Sequence, residues 1–453
     1  MAYTKYSLTP ASNNAAPPDG APEGMLPSAV NDTMRDMMSQ IRDCGDGIRG
    51  GTYTMTAPVI TGGSVTGVTF SSSSATITGG TITGVTDITV ADGGTGASTV
   101  AAAQTNLQVF NFKNRIINGD MRIDQRNAGA SVTPINGQYL VDRFFYGVIT
   151  ASKFTAQQNA GAVTPPAGFS NYLGFTSTSA YSLLATDRFN LFQSIEGFNT
   201  ADLGFGTANA KTVTISFWVY SSLTGTFGGS LLNGAYTYSY PFTYSIPTAN
   251  TWTQISVTIA GPTAGTWVGA TNGIGMTLAF GLGVATSLSG TAGSWSANGY
   301  FSATGATSVV GTSGATFYIT GVQLEVGSSA TGFEYVDYTT QLVMCQRYYE
   351  KTSYQIAAQD LLSMSTPQTV SGIGAYFFKT TKRTNPTGAY SALGDFTCFG
   401  SGYASLTITA INLISSYDYC SINVVVSSGY LIQGSSLLRL SGANGYLSFS
   451  AEL

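Results

Sequence analysis

Tyr236-Thr-Tyr-Ser-Tyr-Pro-Phe-Thr-Tyr244 sets an aromatic ring at every second position. Alternation with period two is the signature of a strand, because successive side chains leave a pleated backbone on opposite faces. On that reading Tyr236, Tyr238, Tyr240, Phe242 and Tyr244 share one face, which is a sandwich core or a subunit interface before it is a sugar platform. The stretch lies inside a longer span, Thr212 to Leu324, that contains no Asp, Glu, Lys, Arg or His. Further strands are predicted there over Val213–Tyr220, Thr253–Ile259, Ile274–Phe280 and Ala315–Leu324. Turn residues separate them at the spacing of a β-sandwich or jelly roll. General acid–base catalysis, glycosidic carboxylate pairs and hard-cation sites all need ionisable side chains. This span has none to supply.

The same bias runs through the whole chain. Its 453 residues hold 18 Lys+Arg, 22 Asp+Glu and no His, so 9% are charged; soluble proteins average about 25%. Gly numbers 55 and aromatics reach 12%, which excludes a disordered chain, since disorder needs few aromatics and many charges. A net charge of −4 with a pI near 4.8 leaves no basic footprint for nucleic acid. Cys44, Cys345, Cys398 and Cys420 are too scattered for a zinc site or a disulfide framework. They read as small buried hydrophobes, with a Cys398–Cys420 pair as the alternative. Neither a secretory h-region nor an apolar run of about 18 residues is found, so membrane insertion is not expected. Length alone predicts about three domains.

Towards the N-terminus, residues 1–27 form a Pro/Ala/Asn/Gly-rich arm that buries no core of its own, either a disordered tail or a strap over a partner. A helix is predicted from Ser28 to about Asp43, stopped by Gly45 and Gly47. Val30, Met34, Met37 and Ile41 follow a 4-3-4 spacing, an a/d seam for self-association. Two heptads are marginal in water, so reinforcement is needed. A repeat supplies it: Val59-Ile-Thr-Gly-Gly-Ser-Val-Thr-Gly-Val-Thr69 recurs as Thr76-Ile-Thr-Gly-Gly-Thr-Ile-Thr-Gly-Val-Thr86, 17 residues on. One unit has too small an apolar face to stand alone. Three intertwined chains would bury Ile60, Val65, Ile77 and Ile82 on a common axis, whereas a flexible linker would not keep a β-branched residue in register. Gly93-Gly94-Thr95-Gly96 lacks the Lys-Ser/Thr of a P-loop and any surrounding βαβ unit, so no nucleotide is expected there.

Beyond residue 338 a helix is predicted over Thr340–Lys351, then strands at Ala404–Leu413, Cys420–Val426 and Leu437–Ser441. Lys379, Lys382 and Arg383 read as a solvated loop. Trp218 and Trp252 lie within strand patterns and read as core. Trp267 and Trp295, in Gly/Thr/Ser-rich loops, and Tyr403 and Tyr430, beside glycines in the last unit, are the candidate glycan contacts. No catalytic residue, metal ligand or cofactor site is expected.

Several segments resemble bacteriophage tail fibres. Tyr6-Ser-Leu-Thr-Pro-Ala11, Ala16-Pro-Pro-Asp-Gly20, Pro22-Glu-Gly-Met25 and Pro27-Ser-Ala-Val-Asn-Asp-Thr-Met-Arg-Asp-Met-Met38 look like the virion-proximal start of such proteins. Ala91-Asp-Gly-Gly-Thr-Gly-Ala97 is similar to a motif of fibre shafts. Asn114-Arg-Ile-Ile-Asn-Gly-Asp-Met-Arg-Ile-Asp-Gln-Arg126, Val141-Asp-Arg143, Phe317-Tyr-Ile-Thr-Gly-Val-Gln-Leu-Glu-Val-Gly327 and Cys345-Gln-Arg-Tyr-Tyr-Glu350 resemble the borders of a jelly roll like those of carbohydrate-binding modules. The resemblance implies a homotrimer in the virion, made in the host cytoplasm and joined to a tail protein by its N-terminus. Its distal end would bind a bacterial surface glycan or receptor during adsorption.

The expected architecture is therefore a mainly β, elongated homotrimeric fibre. It comprises an attachment arm and trimerising helix (1–50), a triple-stranded β shaft (51–108), a jelly-roll, carbohydrate-binding-like domain (109–338) and a C-terminal β receptor-binding tip (339–453). The expected activity is binding without catalysis. The rivals are a tailspike depolymerase, which needs paired carboxylates, and a connector fibre that docks another virion protein.

Overall fold

The computed structural model describes residues 26–49, 95, 103, 112–353, 359–400, 404–428 and 434–453. The chain divides into two units, Met1–Val85 and Thr86–Leu453. In the first, α1 (Pro27–Arg49) runs 23 residues, past the Gly45 and Gly47 expected to end it. A glycine inside a helix costs about 1 kcal/mol and does not forbid the turn. The predicted seam is uncovered: Val30, Met34, Met37 and Ile41 are all exposed, Met34 at 56% and Ile41 at 61%. The arm, the repeat and its Ile60, Val65, Ile77 and Ile82 lie outside the described residues.

The second unit begins with a sandwich of two antiparallel sheets. One is ordered β1 (Gln138–Val141), β2 (Phe144–Val148), β5 (Arg188–Glu196), β10 (Ile274–Val284), β7 (Gly225–Asn233) and β8 (Ser239–Ile246). Facing it are β3 (Phe154–Gln158), β4 (Leu173–Ser177), β13 (Thr316–Val326), β6 (Val213–Ser221) and β9 (Thr253–Ile259). Alternate residues of both sheets interdigitate between them: Leu191, Phe217, Phe227, Phe242, Tyr244, Phe280 and Phe317 are all buried there. Phe217 meets Tyr244 and Phe280 edge-on, each at 5.0 Å between centroids, the arrangement ring quadrupoles favour. The alternation that opened the sequence reading holds for Tyr240, Phe242 and Tyr244. Tyr236 departs from it. It sits in the β7–β8 turn at φ 55° and packs on the outer face against Phe192 and Phe301. Pro241 is tolerated because β8 is an edge strand, where a missing donor costs no ladder bond.

Further along, α2 (Tyr338–Gln346) is capped by Asp337, whose Oδ1 accepts from the Thr340 amide at 3.0 Å. It ends before the predicted Lys351, since Tyr349–Ser353 forms β14. Strands β14, β23 (Tyr446–Ser450) and β17 (Thr387–Tyr390) make a small sheet. A larger one is ordered β19 (Ser405–Leu406), β18 (Phe396–Phe399), β22 (Gly434–Leu440), β15 (Gln359–Gln368), β16 (Ser371–Phe377), β21 (Tyr419–Val426) and β20 (Ile408–Ser415). Leu447 and Phe449 of β23 pack into the core of the larger sheet with Cys398, Cys420, Ile422 and Leu438. Both cysteines are buried thiols, consistent with small hydrophobes.

The few charges gather where this part meets the sandwich. Glu196 at the end of β5 accepts from Arg347 (Nε 2.9 Å, Nη2 2.5 Å) and from the Tyr348 hydroxyl at 2.6 Å. Burial raises the Glu196 pKa, but those hydrogen bonds outweigh it and hold the carboxyl below its ordinary value. Glu452 pairs with Arg143 and, at 3.1 Å, with Arg126. The Arg143 guanidinium lies 3.6 Å over the Tyr348 ring. Of the Lys379-Lys382-Arg383 cluster, Lys379 is exposed as a solvated loop requires, whereas Lys382 and Arg383 are not. Lys382 Nζ is buried 2.6 Å from Glu350 Oε2, which also accepts from the Lys379 amide. Arg383 donates to the carbonyls of Asn272, Ala451 and Glu452 at 2.6–2.8 Å. Sequence spacing showed only three cations near each other; their acceptors come from distant parts of the chain.

Two predictions follow from this junction. Lys382→Met leaves Glu350 buried with its cation removed, and should cost about 3–5 kcal/mol, read as a drop in urea midpoint. Lys382→Met with Glu350→Gln should recover part of it; a single substitution that cost nothing would mean water reaches the pair. Asp142 gives a pH signature. Burial pushes its carboxyl up from 3.8 to about 7, against the opposing pull of Arg126 and Gln125. Between those values the folded chain holds a proton that the unfolded chain has released, so this group lowers stability as pH rises through the window. Asp142→Asn should flatten the stability profile between pH 4 and 7 relative to the parent. An unchanged slope would show that Asp142 does not titrate there.

Candidate functional site

Three loops at the β8 edge converge on the predicted tryptophans. The β7–β8 turn is held by the buried Asn233 side chain. Its Oδ1 accepts from the amides of Thr237 (2.9 Å) and Tyr238 (3.0 Å), and its Nδ2 donates to Thr237 Oγ1 (3.1 Å) and to the Thr266 carbonyl (3.0 Å). That last bond ties the turn to the loop bearing Trp267. The loop bearing Trp295 is tied to β8. Ser239 and Ser296 exchange backbone bonds of 3.0 and 2.8 Å, and Gly293 donates to the Pro241 carbonyl at 2.9 Å. An edge strand offers such unpaired groups to a passing segment. The third loop, Gly204–Gly206, brings Phe205. At Gly265 (φ 89°) a Cβ would lie 2.9 Å from the Tyr238 ring, so only glycine fits there.

These loops assemble an aromatic cluster. Trp267 and Trp295 stand at 90° with centroids 5.6 Å apart. Phe205 is edge-on to both, at 5.0 and 6.0 Å. Tyr238 stacks on Trp295 at 5.8 Å and 17°, and Tyr240 meets it at 5.2 Å. Both indole N–H groups are spent on backbone, Trp267 on Ala264 at 3.1 Å and Trp295 on Ala260 at 2.7 Å. What the tryptophans offer outward is therefore ring surface. Beside them lies a cavity of about 150 Å³ whose wall includes Phe205, Trp267, Thr200, Thr207, Val268 and Met276. No side chain of that wall ionises. The site can stack against a flat apolar face and exchange hydrogen bonds with hydroxyls.

Sequence reasoning singled out Trp267 and Trp295, and the structure brings them together. It did not foresee Phe205, Tyr238 or Tyr240 as their partners, because only the loop geometry joins these positions. Tyr403 and Tyr430 lie outside the described residues. The contrast drawn between core and loop tryptophans is corrected: Trp218 and Trp252 are half-buried, as are Trp267 and Trp295. Trp252 covers the outer face of the other sheet, packed on Tyr172 and Tyr220, because residues before β9 wrap over that face. Among the described residues no group of three Cys, Asp or Glu side chains is arranged to hold a metal, and no helix is long and apolar enough to cross a membrane.

No family model matches the chain, and no curated protein matches it in sequence. Solved structures do. The enzymatically active domain of tailspike protein 4 of bacteriophage CBA120 is 12% identical, over 47% of this chain and 21% of that one, with a TM-score of 0.27. A putative sugar binding protein from Bacteroides thetaiotaomicron is 11% identical over 48% of this chain and 100% of its own, TM-score 0.26. The family 11 carbohydrate-binding module of a Clostridium thermocellum cellulase is 12% identical over 45% and 99%, TM-score 0.22. This chain thus spans about a fifth of the tailspike's length.

Proposed function

We propose that this chain is a bacteriophage tail fibre that binds a bacterial surface glycan during adsorption, without cleaving it. The glycan reading rests on one observation. Two tryptophans stand at right angles with their N–H groups already satisfied, and one of them, Trp267, lines a cavity whose wall carries hydroxyls and no ionisable side chain. Such a surface suits the apolar face and hydroxyl rim of a neutral sugar. The N-terminal motifs support attachment to the virion, where the protein would reside after synthesis in the host cytoplasm.

Self-association as a homotrimer is supported by the uncovered seam of α1. Val30, Met34, Met37 and Ile41 expose apolar surface along one stripe, and a helix of this length gains most of its stability from packing that stripe. The occupant we assign to it is the same helix of two further copies. Three copies would present three weak sugar sites on one fibre, and avidity would supply the affinity that a single site lacks.

Two measurements test these assignments. On an array of neutral oligosaccharides the full chain should bind, and Trp267→Ala and Trp295→Ala should each weaken the binding roughly tenfold, the equivalent of about 1.4 kcal/mol. Equal binding by parent and variants would move the site elsewhere, and release of reducing ends would replace binding by cleavage. Light scattering should give a mass near three times 47.1 kDa. The same measurement on Met34→Asp with Met37→Asp should give a smaller species; a parent value near 47.1 kDa would end the trimer reading.

A further inference from the structure

The outer face of the six-stranded sheet carries a cation without a counter-ion. Arg188, Asn190, Phe192, Ser194 and Glu196 alternate outward along β5. Most of that row is spoken for. Glu196 is held by Arg347 and Tyr348, Ser194 lies 3.1 Å from Thr277, and Asn190 donates to the carbonyls of Phe280 (3.3 Å) and Phe301 (3.1 Å). Arg188 differs. Among the described residues its guanidinium makes no ion pair and no hydrogen bond, and Nε is buried without a partner. Its contacts are rings: Phe301 at 4.2 Å and Phe192 at 5.9 Å from the guanidinium carbon. The neighbouring acid, Asp187, is taken up by the Tyr181 hydroxyl at 2.8 Å, Thr150 at 3.0 Å and the Leu184 amide.

The surroundings suit a particular ligand. Phe145 stacks on Phe192 at 5.2 Å and 25°, and Tyr236 leans on Phe301 at 5.7 Å. Phe145 and Tyr236 are both partly exposed, so ring surface borders the cation. Burial lowers the Arg188 pKa and the nearby Tyr236 phenol opposes that shift, yet a guanidinium stays charged at any physiological pH. A half-buried cation that stacks on rings but lacks an acceptor has its strong, planar hydrogen bonds still to make.

We infer that Arg188 is the anchor of a second glycan site, which takes an acidic sugar by its carboxylate while Phe145 and Tyr236 flank the sugar ring. This rests on the reading of the chain as a glycan binder, and adds a site and a substrate class distinct from the uncharged Trp267–Trp295 cluster. A phosphate-bearing sugar offers more negative charge and also accepts a bidentate guanidinium, so the test separates the two.

The probes are a galacturonate oligosaccharide, its carboxyl-reduced galactose counterpart and galactose 6-phosphate, titrated calorimetrically into the full chain, Arg188→Gln, Arg188→Lys and Trp267→Ala. Expected is at least tenfold tighter binding of the acidic oligosaccharide than of the reduced one. Arg188→Gln should abolish that preference and Arg188→Lys should keep only part of it, while Trp267→Ala leaves it intact. The parent's preference alone decides the matter if a variant fails to fold. Equal binding of acidic and reduced oligosaccharides, or a preference that survives Arg188→Gln, overturns the inference and leaves the neutral-sugar reading standing. Tighter binding of galactose 6-phosphate than of the galacturonate overturns the carboxylate assignment. No binding of any sugar here, or of the neutral array, sinks both readings.

Discussion

Scarcity of charge is the constraint on which the rest of this structure depends. A chain with so few ionisable residues cannot spread them over its surface and also build buried pairs. Several of its buried pairs stand where the sandwich meets the C-terminal sheets. Taking ions out of water costs several kcal/mol each and is repaid only by good geometry with the remaining hydrogen bonds satisfied. Glu196, Glu350 and Glu452 each have two or more donors at this junction, and Arg143 adds the face of Tyr348. Such a junction is selective more than it is strong. Sliding it by one residue would strand several buried charges together, so the two parts are held in one relative position.

The tryptophan-bearing edge of the sandwich is correspondingly neutral. The β8 edge, the loops folded against it and the aromatic cluster they carry come almost wholly from the charge-free span Thr212–Leu324. Without charges, the loops are fixed by backbone bonds to the edge strand and by one amide, Asn233, which satisfies several groups at once. The same economy explains why both tryptophans spend their N–H groups locally. Each donates to a backbone carbonyl, Trp267 to Ala264 and Trp295 to Ala260, since the charge-free span offers no side-chain acid.

The sequence was most legible where a pattern is local. Strand β9 occupies the predicted Thr253–Ile259, and β6, β10 and β13 lie within a few residues of their predicted places, because alternation and turn residues act over short distances. Boundaries moved where tertiary packing overrode the local signal. Tyr348 and Tyr349 continue a helical pattern, but β23 supplies a ladder partner for Tyr349 and Glu196 a hydroxyl acceptor for Tyr348. The tryptophans were legible as candidates because they stand in glycine-rich loops. Phe205 and Arg188 were not, since nothing in their neighbourhoods distinguishes them. One depends on a loop folding back, the other on an acid failing to appear.

That last case shows what charge scarcity does to the meaning of a single residue. In an ordinary protein an arginine without a partner on a sheet face is unremarkable, because mobile acids surround it and surface pairs contribute little. Here the nearest acid in sequence, Asp187, is held by Tyr181, Thr150 and the Leu184 amide, and Glu196 on the same outward row by Arg347 and Tyr348. Arg188 is half-buried against aromatic rings, so solvent compensates it less than it would at a free surface. The field it makes is accordingly less screened, and the first acceptor of suitable shape to reach it gains most. A neutral surface thus makes its few exposed charges more discriminating.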